Sequence, residues 1–362
     1  MYTELIKIIE GGLNRDKEKV ASYAKLLADK LKKEGNDSYA RKINSLIEGK
    51  SVHPVYLDQF ITKPVDKETR LDIVDVILPE DNNVDIILSK YIIKEIDDFI
   101  LSLSYIEELH RKGFNSTNSL LLYGPPGCGK TSIAKYISYK MGLPLVIAKL
   151  DALVSSLLGN TAKNIRKIFE YANSRPCILF LDEFDAIAKA RDDKYELGEL
   201  KRVVNSLLQN IDEYINDNVL VAATNHHQLL DRAIWRRFSS IIEVSKPKED
   251  SIKKLIKLYL KNINYDFSNS STKIEVLCKE LRDLSPSNIK SICNNAIRKT
   301  VIQKEEKLSY TNLLYEIYLY KNHKINDIEE TIRYLNENGV SQKKIKDLLN
   351  LPIRTIRSYL SD

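Results

Sequence analysis

The sequence has few cysteines, no long apolar run and little net charge, and each shortage excludes a class of protein. Its 4 cysteines form no C-x-x-C pair, which argues against a zinc site or a disulfide framework. No apolar run approaches the length that spans a membrane, and the N-terminus has no signal-peptide pattern. We therefore expect a cytoplasmic protein with no membrane partner.

The net charge of the chain gives no clear indication of a partner. A formal charge of +6 is too small to argue for nucleic acid by itself. With 362 residues, 43% hydrophobic and 29% charged, the chain is expected to be globular, with two or three domains. No internal repeat or low-complexity segment stands out.

A glycine-rich turn carries the clearest chemical signal. It follows the apolar run 120–122 and precedes a helical pattern that opens with Ser132. The turn consists of Gly124, Pro125, Pro126, Gly127, Cys128, Gly129, Lys130 and Thr131. In this setting the glycines let backbone N–H groups point at phosphate oxygens, and the helix N-terminus adds partial positive charge. We expect Lys130 to bind nucleotide phosphates and Thr131 to ligate Mg²⁺.

Changes of pattern along the chain predict its organisation. Apolar runs alternate with helical patterns after the turn, which indicates a parallel sheet covered on both faces. The fold class is therefore α/β, with a P-loop parallel sheet, an all-α lid, a helical N-terminal module and a C-terminal helix-turn-helix-like module. The expected bounds are 1–50 for the N-terminal module, 51–83 for a linker with a short strand near 73–78, 84–246 for the α/β domain, 247–305 for the lid and 306–362 for the C-terminal helices.

The last helices carry their own apolar anchors and a turn that contains proline. The anchors Ile345, Leu348, Leu349, Ile353 and Ile356 recur at helical spacing on either side of Pro352. This arrangement resembles a helix-turn-helix unit. We expect the tail to fold separately, to tune function and to take no part in the nucleotide site.

Two carboxylates end a predicted strand about fifty residues after the glycine-rich turn. The apolar run 178–181 leads directly into Asp182 and Glu183. In a phosphate-loop protein Asp182 would hold Mg²⁺, and Glu183 would act as general base toward the attacking water. Asn225 ends the next predicted strand, where its amide would orient the same water.

Two adjacent arginines, Arg236 and Arg237, lie in an apolar frame after that strand. An arginine supplied by a neighbouring subunit stabilises charge on a transferring phosphoryl group. Ordinary surface charge explains the pair equally well on this segment alone.

Together these segments resemble the AAA family of ATPases over about residues 84–303. The glycine-rich turn matches Walker A, Leu181 to Glu183 match Walker B, and Asn225 matches the first sensor. Arg236 and Arg237 match the paired arginine fingers of the meiotic clade. The resemblance implies ATP and Mg²⁺ as cofactors, and a homo-oligomeric ring, usually a hexamer, whose sites are completed by the neighbour's arginines.

Two departures from the family pattern concern the pore and the lid. Leu157 stands where threading enzymes carry an aromatic residue in the first pore loop, so aromatic intercalation is lost. Residues 286–288 read Pro-Ser-Asn where the family has Gly-Ala-Asp, which alters the backbone that lies near the nucleotide in relatives.

Three functions remain open on the sequence. The first is an ATP-driven enzyme that unfolds, remodels or disassembles a protein client. The second is an ATP-switched DNA-associated protein whose reader helix carries Arg354 and Arg357, although its module has balanced charge. The third is a regulator of a subtilisin-like serine protease in phage defence, which the resemblance to bacterial stand-alone AAA ATPases implies.

Overall fold

The molecule is described by a computed structural model. The described residues are 2–13, 16–33, 36–48, 63–64, 72–79, 85–113, 117–150, 158–185, 199–215, 218–322 and 327–361. The pore-loop residue Leu157 lies outside them, as does most of the predicted linker.

A sheet of six strands forms the centre of the nucleotide-binding region, in the order β1-β3-β4-β5-β2-β6. The strands are β1 (Asp75–Ile77), β2 (Ser119–Tyr123), β3 (Leu145–Lys149), β4 (Ile178–Asp182), β5 (Val219–Thr224) and β6 (Ser240–Glu243). Strands β2 to β6 run parallel to one another, which confirms the prediction made from the apolar runs. Strand β1 was expected in the linker and joins the edge of this sheet, antiparallel to β3.

Helices make up most of the remaining described chain. They are α1 (Tyr2–Leu13), α2 (Lys17–Lys33), α3 (Asp37–Glu48), α4 (Lys90–Ser104), α5 (Ile106–Arg111), α6 (Lys130–Met141), α7 (Leu158–Asn173), α8 (Glu199–Tyr214), α9 (Arg232–Trp235), α10 (Glu249–Tyr259), α11 (Ser271–Glu280), α12 (Pro286–Ile302), α13 (Tyr310–Asn322), α14 (Ile328–Glu337), α15 (Gln342–Leu349) and α16 (Ile353–Ser361). Within the described ranges, no helix combines the length and apolar character needed to cross a bilayer.

The chain divides into two compact units. The first contains Met1–Val84, Lys94–Gly124 and Lys130–Glu243, and the second contains Asp85–Ile93, Pro125–Gly129 and Val244–Asp362. The core of the first unit lies between the sheet and helices α7 and α8. It forms here because the strands are apolar on both faces and need a helical layer to cover them.

The described part of the N-terminal module forms three helices, α1 to α3. Helix α1 turns charged side chains inward, where Glu4 and Lys7 are buried. These charges are paired: Glu4 with Lys30, and Glu10 with both Lys7 and Lys19. Pairing offsets the cost of removing charge from water, which is why a helix with this inward face remains packed.

The lid and the tail share one hydrophobic core. Lid residues such as Leu277 and Ile292 belong to the same buried cluster as Ile332, Ile345 and Ile356 of the tail. The structure therefore contradicts the expectation of a separately folding tail. Apolar anchors at helical spacing show that a helix has a buried face, but they do not show which core receives it.

Polar contacts reinforce this shared core. Glu280 at the end of α11 accepts hydrogen bonds from Lys321 on α13, at 2.7 Å, and from the hydroxyl of Tyr334 on α14, at 2.9 Å. Burial, together with the negative charge of Glu280, raises the pKa of Tyr334, so this phenol stays protonated as the donor. The tail is thus joined to the lid by packing and by hydrogen bonds.

We expect Ile356→Ala to destabilise the whole second unit. Removing a fully buried isoleucine costs about 2–5 kcal/mol, because a cavity remains in the core. Hydrogen exchange of the full chain measures where the loss falls. Backbone amides of α10 to α13 are predicted to lose protection together with those of α14 to α16, whereas Ser358→Ala, at an exposed position of the same helix, changes neither. Loss confined to α14 to α16 would contradict the shared core.

Candidate nucleotide site

Lys130 lies at the first position of α6, directly after the glycine-rich turn. Its side chain is buried, and its Nζ donates to the carbonyl oxygen of Gly124 at 2.6 Å. Gly124 is itself fixed to the neighbouring strand, because its N–H donates to the carbonyl oxygen of Thr224. A buried ammonium that donates to a backbone carbonyl can exchange this acceptor for a phosphate oxygen, which is a stronger acceptor.

The middle of the turn contacts the start of α12. The N–H of Ser287 donates to the carbonyl oxygen of Gly127 at 3.1 Å. Ser285 is the N-cap of α12 and Pro286 occupies its first turn, and the Ser285 Oγ accepts from the N–H of Asn288. At residues 286–288, where the sequence departs from the family pattern, the backbone N–H of Ser287 thus contacts the glycine-rich turn.

Gly127 has two reasons to be glycine. Its φ of +73° lies in the left-handed region, and a Cβ there would approach the Oγ of Ser285 to 2.7 Å. We expect Gly127→Ala to lower ATP affinity, because the turn must shift to relieve this contact. Gly142→Ala is the matched control, since its φ is +66° but its surroundings are open. Isothermal titration should show weaker binding for Gly127→Ala alone, and equal losses in both variants would assign the effect to backbone strain.

Thr131 and Asp182 meet within the first unit. The Oγ1 of Thr131 donates to the Oδ2 of Asp182 at 3.1 Å. Mg²⁺ prefers hard oxygen ligands and binds through one or two carboxylates together with water and phosphate. A hydroxyl and a carboxylate at this separation, near the lysine that would bind phosphate, fit such an ion. The described residues contain no cluster of three acidic, histidine or cysteine side chains that would form an all-protein metal cage.

Glu183 follows Asp182 in a conformation that few residues other than glycine adopt. Its φ is +54°, and its N–H donates to the Oδ1 of Asp182 at 3.0 Å. The next residue, Phe184, is buried and donates its N–H to the carbonyl oxygen of Ala223. The strand thus ends in a sharp turn that leaves the Glu183 side chain exposed. Strained backbone of this kind is more frequent at functional sites than elsewhere.

Asp185 fixes the end of strand β5, a role that the sequence analysis missed. Its buried Oδ1 accepts from the Oγ1 of Thr224 at 3.0 Å and from the backbone N–H of Asn225 at 3.2 Å. The third carboxylate of the run 182–185 was the available signal, but its partners lie about forty residues away in sequence. We infer that Asp185 orients Asn225 from within the same subunit.

We expect Asp185→Ala to lower turnover without preventing ATP binding. The substitution leaves the Thr224 hydroxyl and the Asn225 N–H without their acceptor, at a cost of about 1–3 kcal/mol for each buried unsatisfied group. Asn225 then loses its fixed orientation, whereas Lys130 and Thr131 keep their contacts. Steady-state kinetics should show a lower kcat at similar KM. A variant that loses ATP binding would instead place Asp185 in support of the phosphate loop.

The structure separates the two arginines that the sequence treated as a pair. Arg237 forms a bidentate ion pair with Asp212 on α8, at 2.7 and 2.8 Å, and donates to the carbonyl oxygen of Ala233. Arg236 is exposed, and its backbone N–H donates to the carbonyl oxygen of Arg232, but its side chain makes no hydrogen bond or ion pair within the described part of the chain. Asp212 was missed because nothing in its helical surroundings marks it as a partner of Arg237. Arg236 is therefore the arginine available to another molecule.

The other residues predicted for the site lie in the glycine-rich turn and at the start of α6. Pro125 and Gly129 are partly buried, Pro126 is exposed, Cys128 is buried, and Ser132 lies in the first turn of α6. All 4 cysteines are buried, and none of them forms a disulfide. Burial raises the pKa of Cys177 and Cys293 to about 12, so these thiols are poor nucleophiles.

Comparison with known proteins agrees with this geometry. Residues 120–246 match the family model described as the ATPase family associated with various cellular activities. An uncharacterized AAA family ATPase of Sinorhizobium fredii is 37% identical over 309 residues, which cover 84% of this chain and 91% of that protein. A proteasome-activating nucleotidase of Methanococcus maripaludis is 33% identical over 211 residues, 56% of this chain and 50% of that protein. The corresponding nucleotidase of Sulfurisphaera tokodaii is 31% identical over 253 residues, 67% and 64% respectively.

Proposed function

Because the chain belongs to the AAA family of ATPases, we propose that it hydrolyses ATP as a homo-oligomeric ring, with six subunits expected, to unfold, remodel or disassemble a protein client. ATP and Mg²⁺ are the cofactors of this family. The proposal of a protein client is supported by the similarity of this chain to proteasome-activating nucleotidases, whose name says that they activate proteasomes.

The residues of one subunit divide the work of hydrolysis. Lys130 binds the β- and γ-phosphates, and Thr131 with Asp182 would hold Mg²⁺, which neutralises phosphate charge when bound. Glu183 accepts the proton of the attacking water, whose oxygen bonds to the γ-phosphorus while the bond to the ADP oxygen breaks. Asn225, fixed by Asp185, orients that water. The exposed Arg236 of the neighbouring subunit stabilises charge on the transferring phosphoryl group.

A permanently unfolded protein tests the proposed client class. A reduced and alkylated protein chain is expected to stimulate the basal ATPase, and the stimulation should vanish in Glu183→Gln because no hydrolysis remains to be stimulated. The same chain in its native, disulfide-bonded form is the control. Lack of stimulation, together with stimulation by double-stranded DNA, would favour the second candidate below.

A second candidate, DNA binding through the tail, rests on the exposed face of α16. Arg354, Arg357, Ser358 and Ser361 are all exposed and recur at the spacing of one helical face. Four of the six acidic residues that balance the charge of residues 325–362 lie on α14 or at its N-cap, and Glu329 there pairs with Arg333. Arginine and serine side chains on one helix face are suited to contacts with phosphates and base edges.

Anisotropy of labelled double-stranded DNA tests this second candidate. Arg354→Glu/Arg357→Glu should abolish binding, and binding by the unsubstituted chain should weaken steeply with salt. Lys290→Glu/Arg298→Glu is the control, because both residues are exposed and lie on a different helix, α12. Equal loss in both double variants would indicate unspecific attraction by net charge. The link to a serine protease and phage defence stays a prediction from the resemblance.

A further inference from the structure

Three aromatic side chains of the first unit form a cluster that the proposed mechanism does not use. The ring of Tyr123 lies 4.7 Å from that of His227 and 5.7 Å from that of Trp235, and the His227 and Trp235 rings are 6.4 Å apart. The tilted and edge-on geometries are those that aromatic pairs prefer. We refer to Tyr123, His227 and Trp235 as the aromatic cluster.

Each member of the aromatic cluster is next to, or close to, a residue of the nucleotide site. Tyr123 immediately precedes Gly124, whose carbonyl oxygen accepts from Lys130 at 2.6 Å. His227 follows Asn225 by two residues, and Trp235 immediately precedes Arg236. The cluster therefore joins the phosphate loop, the sensor segment and the arginine segment of a single subunit.

Trp235 is fixed by a hydrogen bond of its side chain and by the cap of its helix. Its indole Nε1–H donates to the carbonyl oxygen of Leu230 at 3.2 Å. Its short helix α9 is capped by Asp231, whose Oδ1 accepts from the N–H of Ile234 at 2.9 Å. Immediately after Arg236, Arg237 is anchored by Asp212. Arg236 thus projects from a segment fixed by Trp235 on one side and by Arg237 on the other.

The tyrosine is fixed as well. Its hydroxyl lies 3.5 Å from the Oε2 of Glu243 on the adjacent strand β6. Partial burial and the negative charge of Glu243 raise the pKa of Tyr123, so the phenol remains neutral. The distance between the Tyr123 hydroxyl and Glu243 is long for a hydrogen bond. The ring of Tyr123, and not its hydroxyl, makes the contact with Trp235.

We propose that Trp235 is a positioning residue for Arg236, and that Tyr123 connects it to the occupancy of the phosphate loop in the same subunit. When Lys130 exchanges the Gly124 carbonyl for a phosphate oxygen, the residue next to Tyr123 loses a hydrogen bond. The aromatic cluster transmits this change to the arginine that the subunit presents to its neighbour. The inference rests on the proposed action of Arg236 between subunits.

Mixed rings test the positioning role. Trp235→Ala is expected to lower kcat by between about 10-fold and about 100-fold at unchanged ATP affinity, which is the effect of misplacing a catalytic group by about 1 Å. Mixed with Lys130→Ala subunits it should recover turnover, because its own intact site receives Arg236 from the neighbour. Mixed with Arg236→Ala subunits it should not recover, because neither subunit presents a well-placed arginine.

The other outcomes contradict either the action of Arg236 between subunits or the role of Trp235. If Arg236→Ala with Lys130→Ala fails to recover in rings shown to be mixed, the proposed action between subunits fails. If that pair recovers but Trp235→Ala with Lys130→Ala does not, Trp235 supports its own site and the inference fails alone. Full activity of Trp235→Ala, or its recovery with Arg236→Ala, also overturns the inference.

Fluorescence measures the connection to the phosphate loop directly, since the chain contains 1 tryptophan. Adding ATP to Glu183→Gln should change the Trp235 emission. Tyr123→Leu in that background should abolish the change, whereas Tyr123→Phe, which keeps the ring, should retain it. An emission that stays constant while bound ATP is measured would refute the connection.

Discussion

Glu183→Gln is expected to bind ATP as tightly as the unsubstituted chain and to hydrolyse it at least about 100-fold more slowly, since a positioned general base contributes about that much or more. The amide keeps the size of the side chain but does not accept the proton of the attacking water. The contact between Thr131 and Asp182 does not involve this side chain, so the residues that would hold Mg²⁺ remain in place. Titration calorimetry and phosphate release measure the two quantities separately.

Two variants serve as controls for this prediction. Lys130→Ala should lose ATP binding itself, because it removes the buried ammonium that exchanges the Gly124 carbonyl for phosphate. Glu213→Gln makes the same chemical change at an exposed position on α8 and should leave both quantities unchanged. Hydrolysis near the unsubstituted rate in Glu183→Gln would remove this residue from the role of base.

Arg236→Ala should lower turnover by roughly 10³-fold, the lower end of what an arginine supplied by a neighbour contributes. The substitution should impair the site on the neighbouring subunit, which Arg236 would complete, and should leave the nucleotide-binding residues of the substituted subunit intact. Rings mixed from Arg236→Ala and Lys130→Ala subunits are therefore expected to regain part of their activity, although each variant is inactive alone. An intact Walker A turn on one subunit then meets an intact arginine on the next.

Arg237 is expected to behave differently because its guanidinium is already engaged by Asp212 within the same chain. If Arg237 only anchors the segment, Asp212→Asn should reproduce much of the loss seen in Arg237→Ala. If both arginines instead acted equally on phosphate, Asp212→Asn would leave activity unchanged or raise it. Full activity of the double variant Arg236→Ala/Arg237→Ala would end the assignment of either residue.

The sequence predicted the strands and the motif positions because both leave local signals. The apolar runs of β2 to β5 mark strands buried on both faces, and the pattern of Ser285 and Pro286 marks the start of α12. The contacts made by Asp185 and Asp212 were not predictable in this way. Each joins residues far apart in sequence, and neither carboxylate differs in type or spacing from an ordinary surface charge.

The tail shows a different limit of sequence reasoning. Its helices were predicted, but its independence was not confirmed, because Ile345 and Ile356 are buried in the core that also contains the lid. Periodicity identifies the buried face of a helix and gives no information on the surface that covers it. The short edge strand β1 shows the same limit, because its own residues do not indicate that it pairs with β3.

The dependence of specific ATPase activity on protein concentration tests the central claim, which is that each site is completed by an arginine of the neighbouring subunit. Activity per subunit is expected to rise steeply over the range in which light scattering shows subunits assembling, and to reach a plateau once assembly is complete. Glu183→Gln should assemble over the same range without activity. Constant activity per subunit from dilute monomer to assembled ring would contradict the account.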